Sequence, residues 1–223
     1  MINAFLKAIK QLKDQKIRKF FWISFISACF VFLILWIVIG TLLEATRVVS
    51  IDWLEWLFDF LGGLTTIYFT WILFPPVISW IICYFISDIA DVIEMQHYPN
   101  LQKSHAQSIL SAHIIAIRNL GILILLNIIL LIFLIFGPLY PFIFYSVNGY
   151  ILGREYFELI AQRRLDKNAT KELYKLHRSE LFIAGIISSI LLTLPLINLI
   201  APIFIVAFMI HLLEEWQKNM KKV

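Results

Sequence analysis

Charge is scarce in this chain, and it is missing in blocks. Only 15% of the 223 residues are Asp, Glu, Lys or Arg, while 61% are hydrophobic and the mean hydropathy is +0.84. Soluble domains carry about 25% charged residues, so this composition excludes an ordinary water-soluble domain and points to an integral membrane protein. Cysteine is scarcer still: Cys29 and Cys83 both lie in apolar runs, too few for a disulfide framework or a zinc site. Catalytic signatures are absent as well, with no Walker-type loop, no HExxH and no nucleophile elbow. The five histidines, His97, His105, His113, His177 and His211, are scattered. His105 and His113 can share a helix face but lack a third ligand nearby, and the expectation for all five is a solvated or interfacial position. No enzyme, ATP-driven pump, metal centre or cofactor is expected.

The charge that is present is mostly positive and unevenly placed. Lys7, Lys10, Lys13, Lys16, Arg18 and Lys19 crowd the first nineteen residues against a single Asp14. Nothing typical of a nucleic-acid binder accompanies them, so a membrane surface is the better partner. Residues 1–14 set Ile2, Phe5, Leu6, Ile9 and Leu12 at helical spacing, which predicts an amphipathic helix lying on an anionic leaflet. The run 20–43 holds 24 uncharged residues, about 36 Å as a helix against a hydrocarbon core of about 30 Å. It lacks a small-residue cleavage pattern and reads as a retained transmembrane helix. Glu44, Arg47, Asp52, Glu55 and Asp59, with Trp53 and Trp56, then read as a solvated loop with an aromatic belt.

A second transmembrane helix is expected over 60–87. Pro75 and Pro76 remove two backbone donors inside it and predict a break or kink, either a packing bend or a cavity wall. Asp88, Asp91, Glu94, His97 and Tyr98 make a polar turn before an amphipathic linker helix at 104–118. Two helical hairpins follow, at 119–160 and 181–213, with uncharged Pro/Gly tips and arms of about 20 Å that suit either re-entrant or fully crossing geometry. Apart from Arg47, and with Arg154 at the inner boundary, every Lys and Arg falls on one side, which places both termini in the cytoplasm by the positive-inside rule. The fold class is therefore an all-α integral membrane protein made of one membrane domain.

Two stretches carry candidate chemistry. Arg18 and Lys19 open the first long helix, where paired cations and the positive helix end can hold an anion or simply anchor the inside face. On the first hairpin, Arg154 and Glu158 stand four apart and can pair, with Glu155 on a neighbouring face. They read as an interfacial ion pair fixing hairpin depth or as pore-side groups, with Arg163 and Arg164 snorkelling to the headgroups. Gly149 and Gly153 form a small-xxx-small face suited to close helix packing.

Three segments, FPP at 74–76, DIADVIEMQHYP at 88–99 and NGYILGREYFELIAQRRL at 148–165, resemble the CysZ-type sulfate permeases and the related etoposide-induced-protein family, more narrowly its alphaproteobacterial branch. The resemblance implies a multi-pass protein of the bacterial inner membrane with two long transmembrane helices and two half-membrane hairpins, assembled as a homo-oligomer. It also implies a sulfate site at the motif opening the first long helix, here Gln15 to Lys19. Arg18 carries over, whereas the motif's Pro and Gly are absent and Lys19 replaces an Arg, keeping the charge without the bidentate fork. The implied function is an anion permease or channel supplying sulfate for assimilation. A second reading stays open, a non-transporting membrane scaffold or envelope-organising protein that binds lipid and partners.

Overall fold

A computed structural model describes residues 1–45, 52–99, 133–194 and 196–220, and every regular element among them is helical. The expected linker helix at 104–118, with His105 and His113, lies outside the described residues, as does nearly all of the first arm of the first hairpin. In chain order the helices are α1 (Ile2–Gln11), α2 (Gln15–Ala45), α3 (Asp52–Tyr84) and α4 (Ile86–His97). A 3-10 segment over Phe133–Leu139 then leads to α5 (Tyr140–Ala161), α6 (Lys167–Leu176), α7 (Arg178–Thr193) and α8 (Ala201–Met220).

α2 and α3 form a long antiparallel pair. At 31 and 33 residues they extend about 46 and 50 Å. Helix continues well past the apolar runs, so the charged segment expected as a loop is largely the end of α2 and the first turns of α3. Phe25 and Phe32 of α2 meet Phe74 of α3, each with ring centroids 5.6 Å apart, and Trp36 Nε1 donates to Thr70 Oγ1 at 2.8 Å. Positions 75 and 76 fall inside α3, so the interruption read from Pro75 and Pro76 is not an end of the helix. Packing on both sides of the pair, by Phe74 and by the fully buried Ile78 and Ile82, holds the chain helical. The helix breaks instead at Phe85, whose φ of −92° and ψ of 4° separate α3 from α4. Among the described residues, the stretch Gln15–Thr41 is long and apolar enough to cross a membrane, and α6 with α7 meets the same condition only as a pair bent by 87° at His177.

α8 is the central helix around which the others pack. Every residue from Ala201 to Glu214 is buried, and a helix apolar nearly all round is stable only when neighbours cover it on all sides. α1 is one of those neighbours. Ala4, Ala8 and Gln11 of α1 are buried, and Phe5 sets its ring edge-on to Phe204 and Phe208 at 5.3 and 5.8 Å. Alanines spaced four apart let the two backbones come close. α1 therefore docks onto protein by its small-residue face and leaves Ile2, Leu6 and Ile9 exposed along one edge.

The hairpin helices pack more tightly still. Gly137, at φ +53°, takes the left-handed conformation that only glycine adopts cheaply and turns the chain into α5, with Pro141 in the first turn, where a missing N–H costs no helical bond. α5 then runs 22 residues, about 33 Å, because Arg154 does not end it. Along α5, Gly149 and Gly153 lie against Gly185 of α7 so closely that a Cβ on Gly185 would sit 1.8 Å from the Gly149 carbonyl oxygen. The small-xxx-small reading of Gly149 and Gly153 thus describes a backbone-to-backbone crossing. Asp166 starts α6 by accepting from Ala169 N at 2.8 Å, an N-cap that satisfies one of the unpaired amides of the first turn.

Candidate functional site

The mouth of α2 is built from its first turn. Asp14 caps the helix, its Oδ1 accepting from Lys16 N at 2.7 Å and its Oδ2 accepting from Gln96 Nε2 at 2.9 Å. Partial burial opposes ionisation of Asp14, but the hydrogen bonds from Lys16 N, Gln96 and Ile17 N together hold its carboxyl below the usual 3.8. The amides that a helix start would offer an external anion are therefore already turned on an internal carboxylate. What remains for an anion is the side chains. Lys16, Arg18 and Lys19 are exposed around the buried Ile17. Arg18 alone of them lines an open cleft of about 220 Å³, with Leu12, Ile17, Phe21, Trp22, Ile200 and Ile203 as the other walls. The cleft lies between α2 and the start of α8, a meeting that no local pattern announces.

The second candidate group is elsewhere. Arg154 Nε meets Glu158 Oε1 at 2.8 Å, with side chains 52% and 32% exposed, and its guanidinium lies 5.8 Å from the centroid of the Tyr174 ring on α6. Glu155 is half-buried and has its own partner within the fold. This group ties α5 to α6 and shares no residue with the lining of the Arg18 cleft, so the structure does not bring the two sets together. An exposed pair of this kind contributes about 0.2–1 kcal/mol.

A third group escaped sequence reading. Arg163 and Arg164 do not snorkel outward: their side chains are 8% and 12% exposed. Arg164 Nη2 pairs with Glu94 Oε2 at 2.5 Å and its Nη1 lies 4.0 Å from Glu214. Arg163 pairs with Asp91, lies 3.5 Å from Glu94 and donates to the Ser87 carbonyl oxygen at 3.5 Å. The correction has a simple cause. The chain turns back at Gln162–Leu165 over α4, which brings the carboxylates of α4 and α8 within reach of both guanidinium groups. This network joins segments 88–99 and 148–165, which carried the resemblance, and it is a structural clasp between them.

Beside it, His211 is buried and not solvated as expected. Tyr98 Oη donates to His211 Nδ1 at 2.9 Å, His211 Nε2 donates to Gln11 Oε1 at 2.7 Å, and Gln11 Nε2 donates to His97 Nδ1 at 3.3 Å. Four residues from α1, α4 and α8 and from the residue after α4 thus satisfy one another. Burial and the nearby carboxylates of Glu214 and Glu215 push the Tyr98 hydroxyl up to about 12, so it remains a donor. A matching role for His177 is structural: its ring stacks on Trp216 at 4.0 Å, and Trp216 Nε1 donates to Glu180 at 3.1 Å. Among the described residues no group of His, Cys, Asp and Glu is arranged to hold a metal ion.

No curated protein matches this chain. A family pattern described as "Sulfate transporter CysZ/Etoposide-induced protein 2.4" matches residues 4–202, from α1 to the start of α8, and so includes Asp14, Arg18 and Lys19 at the start of α2 and Asp91, Glu94, Arg163 and Arg164 of the clasp. With nearly its whole length under that pattern, the chain belongs to the sulfate transporter CysZ/etoposide-induced protein 2.4 family.

Proposed function

We propose that this protein is an inner-membrane permease or channel for sulfate or a related oxyanion, with Arg18 and Lys19 at its cytoplasmic mouth. The observation that carries the reading is the placement of Arg18. Within a chain of this family, it is the cation that lines the cleft where the first long helix meets the second hairpin. Because Asp14 occupies the first-turn amides, the anion is held by the guanidinium and ammonium side chains and not by the helix end. α2 and α3 cross the bilayer. The second hairpin enters part-way, since α7 at 16 residues is about 24 Å long against a core of about 30 Å. Both termini lie in the cytoplasm, and copies of the chain assemble around the route. A dianion moving into an inside-negative cell works against about 4.6 kcal/mol per 100 mV, so net entry follows from rapid consumption of sulfate inside. Arg154, Glu155 and Glu158 hold the first hairpin at its depth.

Radiolabelled sulfate uptake into proteoliposomes tests this. Uptake above empty vesicles that is lost in an Arg18→Ala, Lys19→Ala double variant supports the assignment. Uptake that is unchanged in that variant removes these residues from the site, and no uptake by folded protein removes the permease reading. One observation favours a scaffold in that event: α1 is docked to the core, and the charged side chains beside its exposed edge of Ile2, Leu6 and Ile9 are Lys7 and Lys10, which suits attachment to an anionic leaflet without transport.

A further inference from the structure

The walls of the Arg18 cleft are wrong for a bare inorganic dianion alone. A hydrated oxyanion gives up its water only for several donors, and the cleft offers one guanidinium against six apolar side chains. Ile17 and Ile203, each 1% exposed, form its floor. Leu12, Phe21, Trp22 and Ile200 form partly exposed sides, and Trp22 is propped by Phe21 and Phe25 with ring centroids 5.7 and 5.8 Å away. A volume of about 220 Å³ is below that of a site enclosing a whole drug-sized ligand, but it suits a length of hydrocarbon chain. Trp22 in the cleft wall, with Ile23 and Ile26 beyond, is part of the exposed apolar surface of the stretch Gln15–Thr41 at 50%, 37% and 63% exposure, whereas the exposed Lys16, Arg18 and Lys19 stand at the start of that stretch. Cations at one end and a hydrocarbon-lined groove leading to the apolar face match the two halves of an amphiphile.

We propose that the Arg18 cleft binds an anionic phospholipid of the inner leaflet, its phosphate on Arg18 and one acyl chain along the groove of Leu12, Phe21, Trp22 and Ile200. This rests on the reading of Arg18 as an anion contact but not on sulfate being carried. It gives that mouth a resident competitor: sulfate reaches the guanidinium by displacing a headgroup. The apolar part comes from the acyl chain, and the charge selects phosphatidylglycerol over phosphatidylcholine with the same chains.

Native mass spectrometry of the full-length protein in detergent, titrated with dioleoylphosphatidylglycerol or dioleoylphosphatidylcholine, tests the assignment. The expected result is one tightly retained phosphatidylglycerol, lost in Arg18→Ala, weakened in Trp22→Ala, and displaced by sodium sulfate. Trp22 is half exposed, so its replacement keeps the fold, and unchanged melting of both variants verifies this. Equal retention of phosphatidylcholine, or retention unaffected by Arg18→Ala, overturns the proposal by showing ordinary boundary lipid. Displacement by glycerol 3-phosphate at the concentration that displaces the diacyl lipid also overturns it, because the groove then contributes nothing and the ligand is a free phosphate. A retained, Arg18-dependent lipid in a protein without sulfate uptake leaves this inference standing while the permease reading falls.

Discussion

Gly185→Ala is the most direct probe of how the hairpins are held. A Cβ built on Gly185 lies 1.8 Å from the Gly149 carbonyl oxygen and 2.7 Å from Gly153 N. Carbon and oxygen settle no closer than about 3.3 Å, so α5 and α7 must part by roughly 1.5 Å. Both obstructing atoms are backbone, and no rotamer change relieves them. Separation loosens the contacts of Leu181, Ala184, Phe157 and Ile160, all buried at 1% exposure or less. Overpacking costs about 1–3 kcal/mol, while alanine within a helix gains about 1 kcal/mol over glycine. With both backbone approaches broken at once, the upper part of the range applies, and the net loss is about 2 kcal/mol. For a chain of this length that lowers Tm by roughly 4–8 °C. Gly40 is the internal control: it also lies in a helix, but nothing stands within 4 Å of its added Cβ, so Gly40→Ala leaves Tm unchanged or raises it by roughly 2–4 °C. The assay is thermal unfolding of the detergent-purified protein followed by circular dichroism. A Gly185→Ala protein that melts at or above the wild-type temperature refutes the backbone crossing.

Arg164→Ala leaves Glu94 buried without its nearest cation and costs about 3–5 kcal/mol, whereas Arg154→Ala at the exposed pair costs about 1 kcal/mol or less; equal melting of the two variants in the same assay would show the clasp to be superficial. Asp14→Asn keeps a cap but removes the charge facing the mouth, and at about 0.3–1 kcal/mol for charge at a helix start it strengthens sulfate binding roughly two- to fivefold, read by isothermal titration. The same substitution has a pH signature. A carboxyl held below its ordinary 3.8 lends stability that is complete above that value and is lost as pH falls through its folded-state pKa, so wild type loses more stability than Asp14→Asn on acidification below about pH 4. His211→Phe strips partners from both Tyr98 and Gln11 and costs about 1–3 kcal/mol for the buried polar groups left unpaired; a melting temperature equal to wild type would show that the Tyr98–His211–Gln11–His97 chain carries no weight.

Much of the fold follows from periodicity and composition. The apolar block after Lys19 could only be a long helix, the spacing over the lysine-studded first turns predicts the helix that Ile2–Gln11 forms, and Gly137 with Pro138 and Pro141 marks a turn that the structure keeps. The boundaries were less legible. Glu44, Asp52, Glu55 and Asp59 look like loop residues because polarity is read as solvent, yet they lie within α2 and α3, since a helix satisfies its own backbone whatever its side chains. Pro75 and Pro76 look like a break because proline removes donors, yet packing by Phe74, Ile78 and Ile82 carries α3 through to Tyr84.

Of the candidate site, the order of residues tells which side chains are cationic, that they stand at a helix start, and that a single acid, Asp14, lies among them; its role as the cap of α2 emerges only in the fold. The same order tells that Gly149 and Gly153 share a face. Who meets whom is settled by the fold. Asp14 accepts from Gln96, 82 positions away, Gln11 from His211, 200 positions away, and Arg163 and Arg164 turn inward to Asp91 and Glu94. The physical reason is the same each time. A charge or a hydrogen-bonding group states in the sequence only that it needs a partner, and solvent, headgroup and protein all satisfy that need. Which of them does so is fixed by the path of the backbone, set here by small residues that let α1 close on α8 and α5 on α7.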